Sequence, residues 1–452
     1  MAKELIVPGV SVSVVREMLP QQLSPSGVLG LIGYTEKKPA EGIGRASSWN
    51  RFIELFGAAS ASSLPEARAA LDNGVYELVV VPLEGGNAAS CEIAATAGKL
   101  TLTARAPGAW ALPITVAVKT TAQGFDLTLE LGGRKEEFRS LTLGATVESA
   151  DGPRNVAAVL EKDSALCRAD VSSDAQGKPN AGTYRMSGTD GGAGLDKYRK
   201  AIDMLAGQPD VDMVLASVSS TASAAEAQAV YSAVLSHCNN MSEDGKGRIA
   251  IGQTPPRATD EQIGQMADTL KSDRFLFVTP FGTAGAAAGR IGSLDYFESA
   301  TFKTVSGVSE SGPAMAVEAQ RSYLQRRVVP VVFQQGKGVI ILRAITTSGE
   351  QVSVTRIADR AVRGMKQISD GFIGRLNSED QRTALRQKLV EMLMQMVKDG
   401  ALVPSADGKS PPFVTNVYSS QADFALGIVR VEMAVRPVRA IDYIYATITV
   451  QV

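Results

Sequence analysis

The feature that most constrains this sequence lies at its end. In RAIDYIYATITVQV, residues 441–452 alternate: Ile444, Ala446, Ile448, Val450 and Val452 fall on one face, and Tyr443, Tyr445, Thr447, Thr449 and Gln451 on the other. A period of two in β-branched and aromatic residues predicts a half-buried strand. The opening ELIVPGVSVSVVRE repeats the pattern on a smaller scale. Val10, Val12 and Val14 alternate with Ser11 and Ser13 after Pro8 and Gly9. Chain ends fray unless tied down, so both strands need a partner, in this chain or in another.

With 452 residues the chain exceeds one ordinary core, and two to three domains are expected. An apolar fraction of 44% and a charged fraction of 21% suit a globular protein. The net charge of −1 predicts no bulk attraction to nucleic acid or anionic membrane. MAKELIVPGV lacks the pattern of a signal peptide, and the apolar runs YELVVVPL and RRVVPVVF are too short to span a membrane. Cys91, Cys167 and Cys238 are odd in number and widely spaced, as in a reducing cytoplasm.

Coarse periodicity divides the chain. GVLGLIGYTEKK and VYELVVVPL read as buried strands, with WNRFIELFG and SSLPEARAALDNG as helices between them. From Cys91, short alternating runs separated by Ala106-Pro107-Gly108, Gln123-Gly124 and Gly132-Gly133 predict an antiparallel β module. Residues 149–194 read as looser chain that completes the insertion. Helix–strand alternation then resumes through RFLFVTPF, the rhythm of a mostly parallel sheet. The last region is expected from Val317. Its clearest helix starts at Ser378 and Gln381, which match a capping box, and carries the stripe Leu385, Leu389, Met392, Leu393, Met396 and Val397 before Gly400. GIVRVEMAVRP reads as a strand with Val429, Val431, Met433 and Val435 on its apolar face.

Little points to chemistry. The one histidine, His237, must serve any histidine-dependent mechanism, and no G-x-S-x-G accompanies it. It reads as a helix-end residue facing terminal carbonyls. DGKSPP lacks the first glycine of a P-loop, since Val403 stands there. GGAGLDKY reads as linker. The adjacent acids Glu136-Glu137 and Glu379-Asp380 have no catalytic spacing, and the second pair suits a helix's first turn. Arg382, Arg386 and Lys388 on the capped helix read as a solvated face or a contact for an acidic partner. No cofactor or metal is expected.

Taken in order, these pieces resemble contractile phage tail sheath proteins. PGVSVSVV is similar to the PGVYV opening of that family. LTARAPGAWALPITVAV…FDLTLELGGRKEEFRSLTL resembles its β domain, with Ala111-Leu112 where the family often has Gly-Asn. VDMVLASV with SHCNN and GRIAIG resembles its middle domain, RLNSEDQRTALRQKLVEMLMQMVKDGAL its C-terminal helix, and VRPVRAIDYIYATITVQV its closing strands. The resemblance implies an α/β and α+β multidomain chain. Residues 1–20 form an arm that joins the core domain; 21–90 and 191–316 form an α/β middle domain; 91–190 form an inserted, outward-facing β domain. Residues 317–452 form the tube-facing α+β core, built from both chain ends.

The resemblance also implies a structural, non-enzymatic subunit. Its terminal arms complete neighbours' sheets through Val10, Val12, Val14, Ile444, Ile448 and Val450, and Arg382 and Arg386 touch an inner tube. The implied partners are copies of itself in six-fold, helically stacked rings, the inner tail tube protein, and baseplate and tail-terminator proteins, with no direct nucleic acid and no membrane insertion. The implied place is a virion tail assembled in the host cytoplasm, with genome ejection as the outcome. Three alternatives remain: a pyocin-like or other bacterial contractile injection apparatus, a cytoplasmic α/β hydrolase that depends on His237, and another self-assembling shell.

Overall fold

The structure is a computed structural model that describes residues 26–144, 154–188, 192, 194–308 and 315–445. It has two units. One is Gly364–Arg436; the other is Pro25–Arg363 together with the chain from Pro437.

The larger unit begins with β1 (Val28–Gly33), β2 (Gly44–Ala46) and β3 (Glu77–Pro82). Every residue of VLGLIG is buried, as a run without alternation predicts for a strand covered on both faces. Three helices lie between β2 and β3. These are α1 (Trp49–Phe56), which ends at Gly57 with φ 85°, α2 (Ser60–Ser63), and α3 (Pro65–Asp72), with proline in its first turn.

The β module follows as β4 (Ser90–Ala97), β5 (Lys99–Ala104), β6 (Thr115–Thr120), β7 (Phe125–Leu131) and β8 (Arg134–Thr142). The stretch read as loose chain holds four more strands and a helix: β9 (Arg154–Asn155), α4 (Val156–Asp163), β10 (Cys167–Val171), β11 (Gln176–Pro179) and β12 (Gly182–Arg185). Two sheets result, in the orders β10-β5-β4-β11 and β12-β6-β7-β8-β9. Their inner faces share one core around the fully buried Trp110. The Trp110 indole N–H is shared between the carbonyls of Ala106 and Pro107, each at 3.2 Å.

The chain returns through α5 (Leu195–Ala206), β13 (Met213–Ala216), α6 (Ala224–Glu243), β14 (Ile249–Gln253), α7 (Asp260–Thr269), β15 (Phe275–Thr279), α8 (Ala284–Ser293), α9 (Val317–Gln325), β16 (Val329–Gln334) and β17 (Gly338–Ile341). Complete capping boxes start α6 (Ser223 with Glu226) and α7 (Thr259 with Gln262). The eight-stranded sheet has the order β17-β16-β15-β14-β13-β1-β3-β2. Its six inner strands are parallel, and β17 and β2 pair antiparallel at the edges. Apolar clusters cover both faces. Val278 of β15 pairs with Val329 of β16, so the α/β layer continues past residue 316, beyond the boundary expected at Val317. Helix α8 was not foreseen. Its glycines let it approach α3 closely, because a Cβ on Gly285 or Gly289 would run into the main chain of Glu66 or Ala70.

Helix α10 (Val352–Asp370) runs through the boundary between the units. The smaller unit then contains α11 (Glu379–Lys398), β18 (Phe413–Tyr418), α12 (Gln421–Ala425) and β19 (Arg430–Val435). The predicted stripe is buried at Leu385, Leu389, Met392, Leu393 and Met396, and α11 packs on β18. Only half of the predicted capping box forms. Ser378 Oγ accepts from the Gln381 N–H at 3.3 Å, while Gln381 Oε1 is buried without a partner. Gly400, at φ 81°, follows the helix end. β18, which was not foreseen, pairs antiparallel with β19 from Phe413↔Val435 to Tyr418↔Arg430.

Candidate assembly surfaces

The positions that chemistry would require are filled with structural contacts. His237 is buried in α6, and α6 continues to Glu243, so the histidine does not face the helix's last carbonyls. Its Nε2 instead lies 2.7 Å from Nη1 of Arg248, which also donates to Leu205 O at 3.0 Å. Burial and the Arg248 charge push the His237 pKa down to about 4. A neutral imidazole that accepts from a buried guanidinium is a packing device. At the carboxyl ends of β13 and β14, where open α/β sheets take ligands, Glu66 accepts from Ser217 Oγ at 2.9 Å and Gln253 Nε2 at 3.1 Å. Gln253 Oε1 accepts in turn from the Gly282 N–H at 2.8 Å. Burial raises the Glu66 pKa, and Glu66 and Gln253 are both buried within this network. Burial likewise pushes the Cys167 and Cys238 thiols up to about 12. Among the described residues no His, Cys, Asp and Glu cluster suits a metal, and no helix is long and apolar enough to cross a membrane.

The surfaces that ask for a partner lie elsewhere. In the smaller unit β18 and β19 form a two-stranded sheet, so each strand has one open edge among the described residues. Along β19, Val431, Met433 and Val435 are half-buried and alternate with exposed Arg430, Glu432 and Ala434. A cavity of about 290 Å³ adjoins it, lined by Phe372, Leu376, Arg382, Leu385, Val429 and Val431 among others. Ile373, Leu376, Phe424 and Leu426 are large apolar side chains left exposed in the same unit.

The two candidate tube-contact residues separate here. Arg382 turns back and donates to Asn377 O at 3.1 Å and Asn377 Oδ1 at 2.7 Å. Arg386, one turn on, is exposed and makes no ion pair among the described residues. Of the strand-exchange residues, Ile444 is described: it is 84% exposed and belongs to no strand. Val10, Val12, Val14, Ile448 and Val450 lie outside the described residues.

Residues 191–347 match the family model of the phage tail sheath protein central domain. The chain thus carries a phage tail sheath central domain. That family is structural and not enzymatic, so the protein is a structural sheath subunit and the hydrolase reading falls away. No curated protein sequence matches the chain. Among solved structures, the fold of this sheath protein is similar to that of the sheath tail protein of Desulfitobacterium hafniense, at 15% identity and a TM-score of 0.55 over 91% of this chain and 93% of that one. It is also similar to the anti-feeding prophage helical sheath in its contracted state, at 14% identity and a TM-score of 0.57 over 98% and 99%. A third is the contracted sheath complex of an extracellular contractile injection system, at 12% identity and a TM-score of 0.56 over 99% and 98%. The sequence pattern identified α11. It did not reveal β18, which makes the open sheet, or Arg343, Glu350 and Gln351, which bond to Asp442, Arg439 and Ala440 respectively.

Proposed function

We propose that this sheath protein polymerises as six-fold rings stacked helically around an inner tube, and that its contraction drives the tube through a cell envelope. Copies join by lending terminal strands. The observation that carries this reading is the pairing of an open sheet with an exposed arm. A two-stranded sheet is marginal alone, and β18–β19 leaves both outer edges unpaired among the described residues beside an apolar cavity. The arm from Ile441 carries the strand pattern that such an edge accepts by β-augmentation. Each ladder hydrogen bond contributes about 1 kcal/mol net, and each fully buried Ile or Val adds about 1.5–3 kcal/mol. Ile444, Ile448 and Val450 would supply the apolar face of the C-terminal strand, and Val10, Val12 and Val14 that of the N-terminal one. A head-to-tail contact of this kind propagates into rings and helices rather than closing on itself as a dimer.

The remaining partners follow from the same reading: an inner tube protein at the Arg386 face of α11, with baseplate and terminator proteins at the two ends. Contraction needs two packings of one subunit and a trigger. Assembly takes place in the cytoplasm, and the product is a virion tail. A second reading, an injection apparatus instead of a virus, is supported by the near-complete coverage of the anti-feeding prophage and injection-system sheaths.

The test is negative-stain electron microscopy of the full chain and of a chain ending at Ala440. Tubes from the first and monomers from the second are expected. Polymer from the truncated chain would overturn C-terminal strand lending.

A further inference from the structure

In the larger unit, residues 345–351 form a tight hairpin. Ile345 bridges Gln351, the Thr346 N–H donates to Glu350 O at 2.8 Å, and Gly349 turns at φ 94°. The hairpin is rooted in the α/β layer. The Thr347 N–H donates to Phe275 O at 2.8 Å, the Thr347 hydroxyl donates to Leu270 O at 2.6 Å, and both Thr346 and Thr347 are buried. Glu350 and Gln351 therefore stand on a rigid base.

Three contacts converge from that side onto residues 439–442. Arg439 donates to Glu350 Oε1 at 2.9 Å and Oε2 at 2.8 Å. The Gln351 side-chain amide engages both main-chain groups of Ala440. Its Oε1 accepts from the Ala440 N–H at 2.9 Å, and its Nε2 donates to Ala440 O at 3.0 Å. Arg343 Nε donates to Asp442 Oδ2 at 3.0 Å, and the same guanidinium lies 5.1 Å from the ring centre of Tyr443. The Asp442 side chain is only 7% exposed. Its neighbours are the reverse: Ile441 is 79% exposed, Ile444 84% and Tyr445 94%.

We infer that Arg343, Glu350 and Gln351 are the anchor of the C-terminal arm, and that they make Ile441 the first residue free to pair with a second copy of this chain. The inference rests on the strand-lending reading and adds where the lent strand begins and what holds its root. Gln351 occupies Ala440 as an adjacent strand would, so a ladder from another copy cannot include Ala440 without displacing it. The Arg439–Glu350 fork and the Arg343–Asp442 bond fix direction on either side. The exposed fork by itself is weak; the buried Gln351 and Asp442 contacts give the anchor its hold.

The test is hydrogen exchange by mass spectrometry on the full chain, unassembled and assembled. The Ala440 amide is expected to be protected in both forms, and the amides of residues 441–445 to gain protection only on assembly. If the Ala440 amide gains its protection only on assembly, or if residues 441–445 are already protected in the unassembled chain, the inference is overturned. Gln351→Ala is expected to speed exchange at Ala440 about tenfold or more in the unassembled chain. Because Gln351 is buried, the exposed pair gives a second route. Arg439→Glu and Glu350→Arg should each raise the concentration needed for assembly about tenfold, and together they should restore it. Wild-type assembly by both single variants, together with wild-type exchange at Ala440 in Gln351→Ala, would sink the anchor. A wild-type chain that never assembles would instead count against strand lending, and exchange at Ala440 would still decide the anchor.

Discussion

Arg274 forks onto Asp359, with Nη1 2.8 Å from Oδ2 and Nη2 2.8 Å from Oδ1. The pair joins the residue before β15 to the middle of α10, and both side chains are largely buried, 18% and 11% exposed. Arg363, one turn further along α10, donates to Val211 O and Gly247 O, each at 2.6 Å. Gly247 is glycine because a Cβ there would occupy the Asp359 carboxylate's place. Removing one partner strands a buried charge. Asp359→Ala should therefore cost about 3–5 kcal/mol, whereas Arg274→Met with Asp359→Leu should recover most of that loss. Urea denaturation of the three proteins checks this; equal losses from the single and double variants would count against it.

His237 predicts a pH dependence. Its pKa falls from 6.5 to about 4 on folding, through burial and the facing Arg248. Between those values the unfolded chain binds a proton that the folded protein refuses, so this contribution is complete above pH 6.5 and is lost as pH falls toward 4. The urea midpoint of the wild type should drop between pH 7 and pH 5 more than that of His237→Gln. Parallel profiles would show that His237 does not carry the effect.

Gly289 tests the contact between α8 and α3. On an exposed helix, glycine to alanine stabilises by up to about 1 kcal/mol. Here the new Cβ would meet the Ala70 main chain, with atoms that cannot swing aside. Gly289→Ala should instead destabilise by about 1–3 kcal/mol and lower the melting temperature. A rise in melting temperature would mean that the two helices are not in close contact.

The elements legible in the sequence were those whose pattern is local. β1, β3 and β13 read as buried strands from their apolar runs, β14 and β15 as strands from the helix–strand rhythm, and α11 as helix from its cap and stripe. α8 escaped because AGAAAGRIGS has no amphipathic period; its logic is the space it leaves for α3. β11 and β12 escaped because each has four residues and contains glycine, which weakens strand signals, and β18 escaped because Thr415 and Asn416 interrupt its apolar run. The contacts at residues 439–442 were not legible: Glu350 and Gln351 lie 89 residues from Arg439 and Ala440, and Arg343 lies 99 from Asp442. Pairing across such separations leaves no local trace. The expectation for His237 failed for a similar reason, since helical periodicity does not reveal Arg248 as its partner.

Two arginines that the sequence treats alike, Arg382 and Arg386, differ in their contacts. Arg382 is spent within its own unit. Its guanidinium closes the loop before α11 by bonding twice to Asn377, so Arg382→Glu should cost about 1.5–3 kcal/mol of stability per lost charged hydrogen bond. Arg386 projects from the same helix, exposed and unpaired among the described residues, and its substitution should leave folding within about 0.5 kcal/mol of wild type. Under the proposed function, Arg386→Glu is then the variant that reports on the tube. It should polymerise normally yet bind tubes about tenfold more weakly, read by co-sedimentation of assembled sheath with purified tubes. Wild-type binding by Arg386→Glu would remove this face of α11 from the tube contact while leaving strand lending untouched, because no part of the β18–β19 edge or of the arm depends on that side chain.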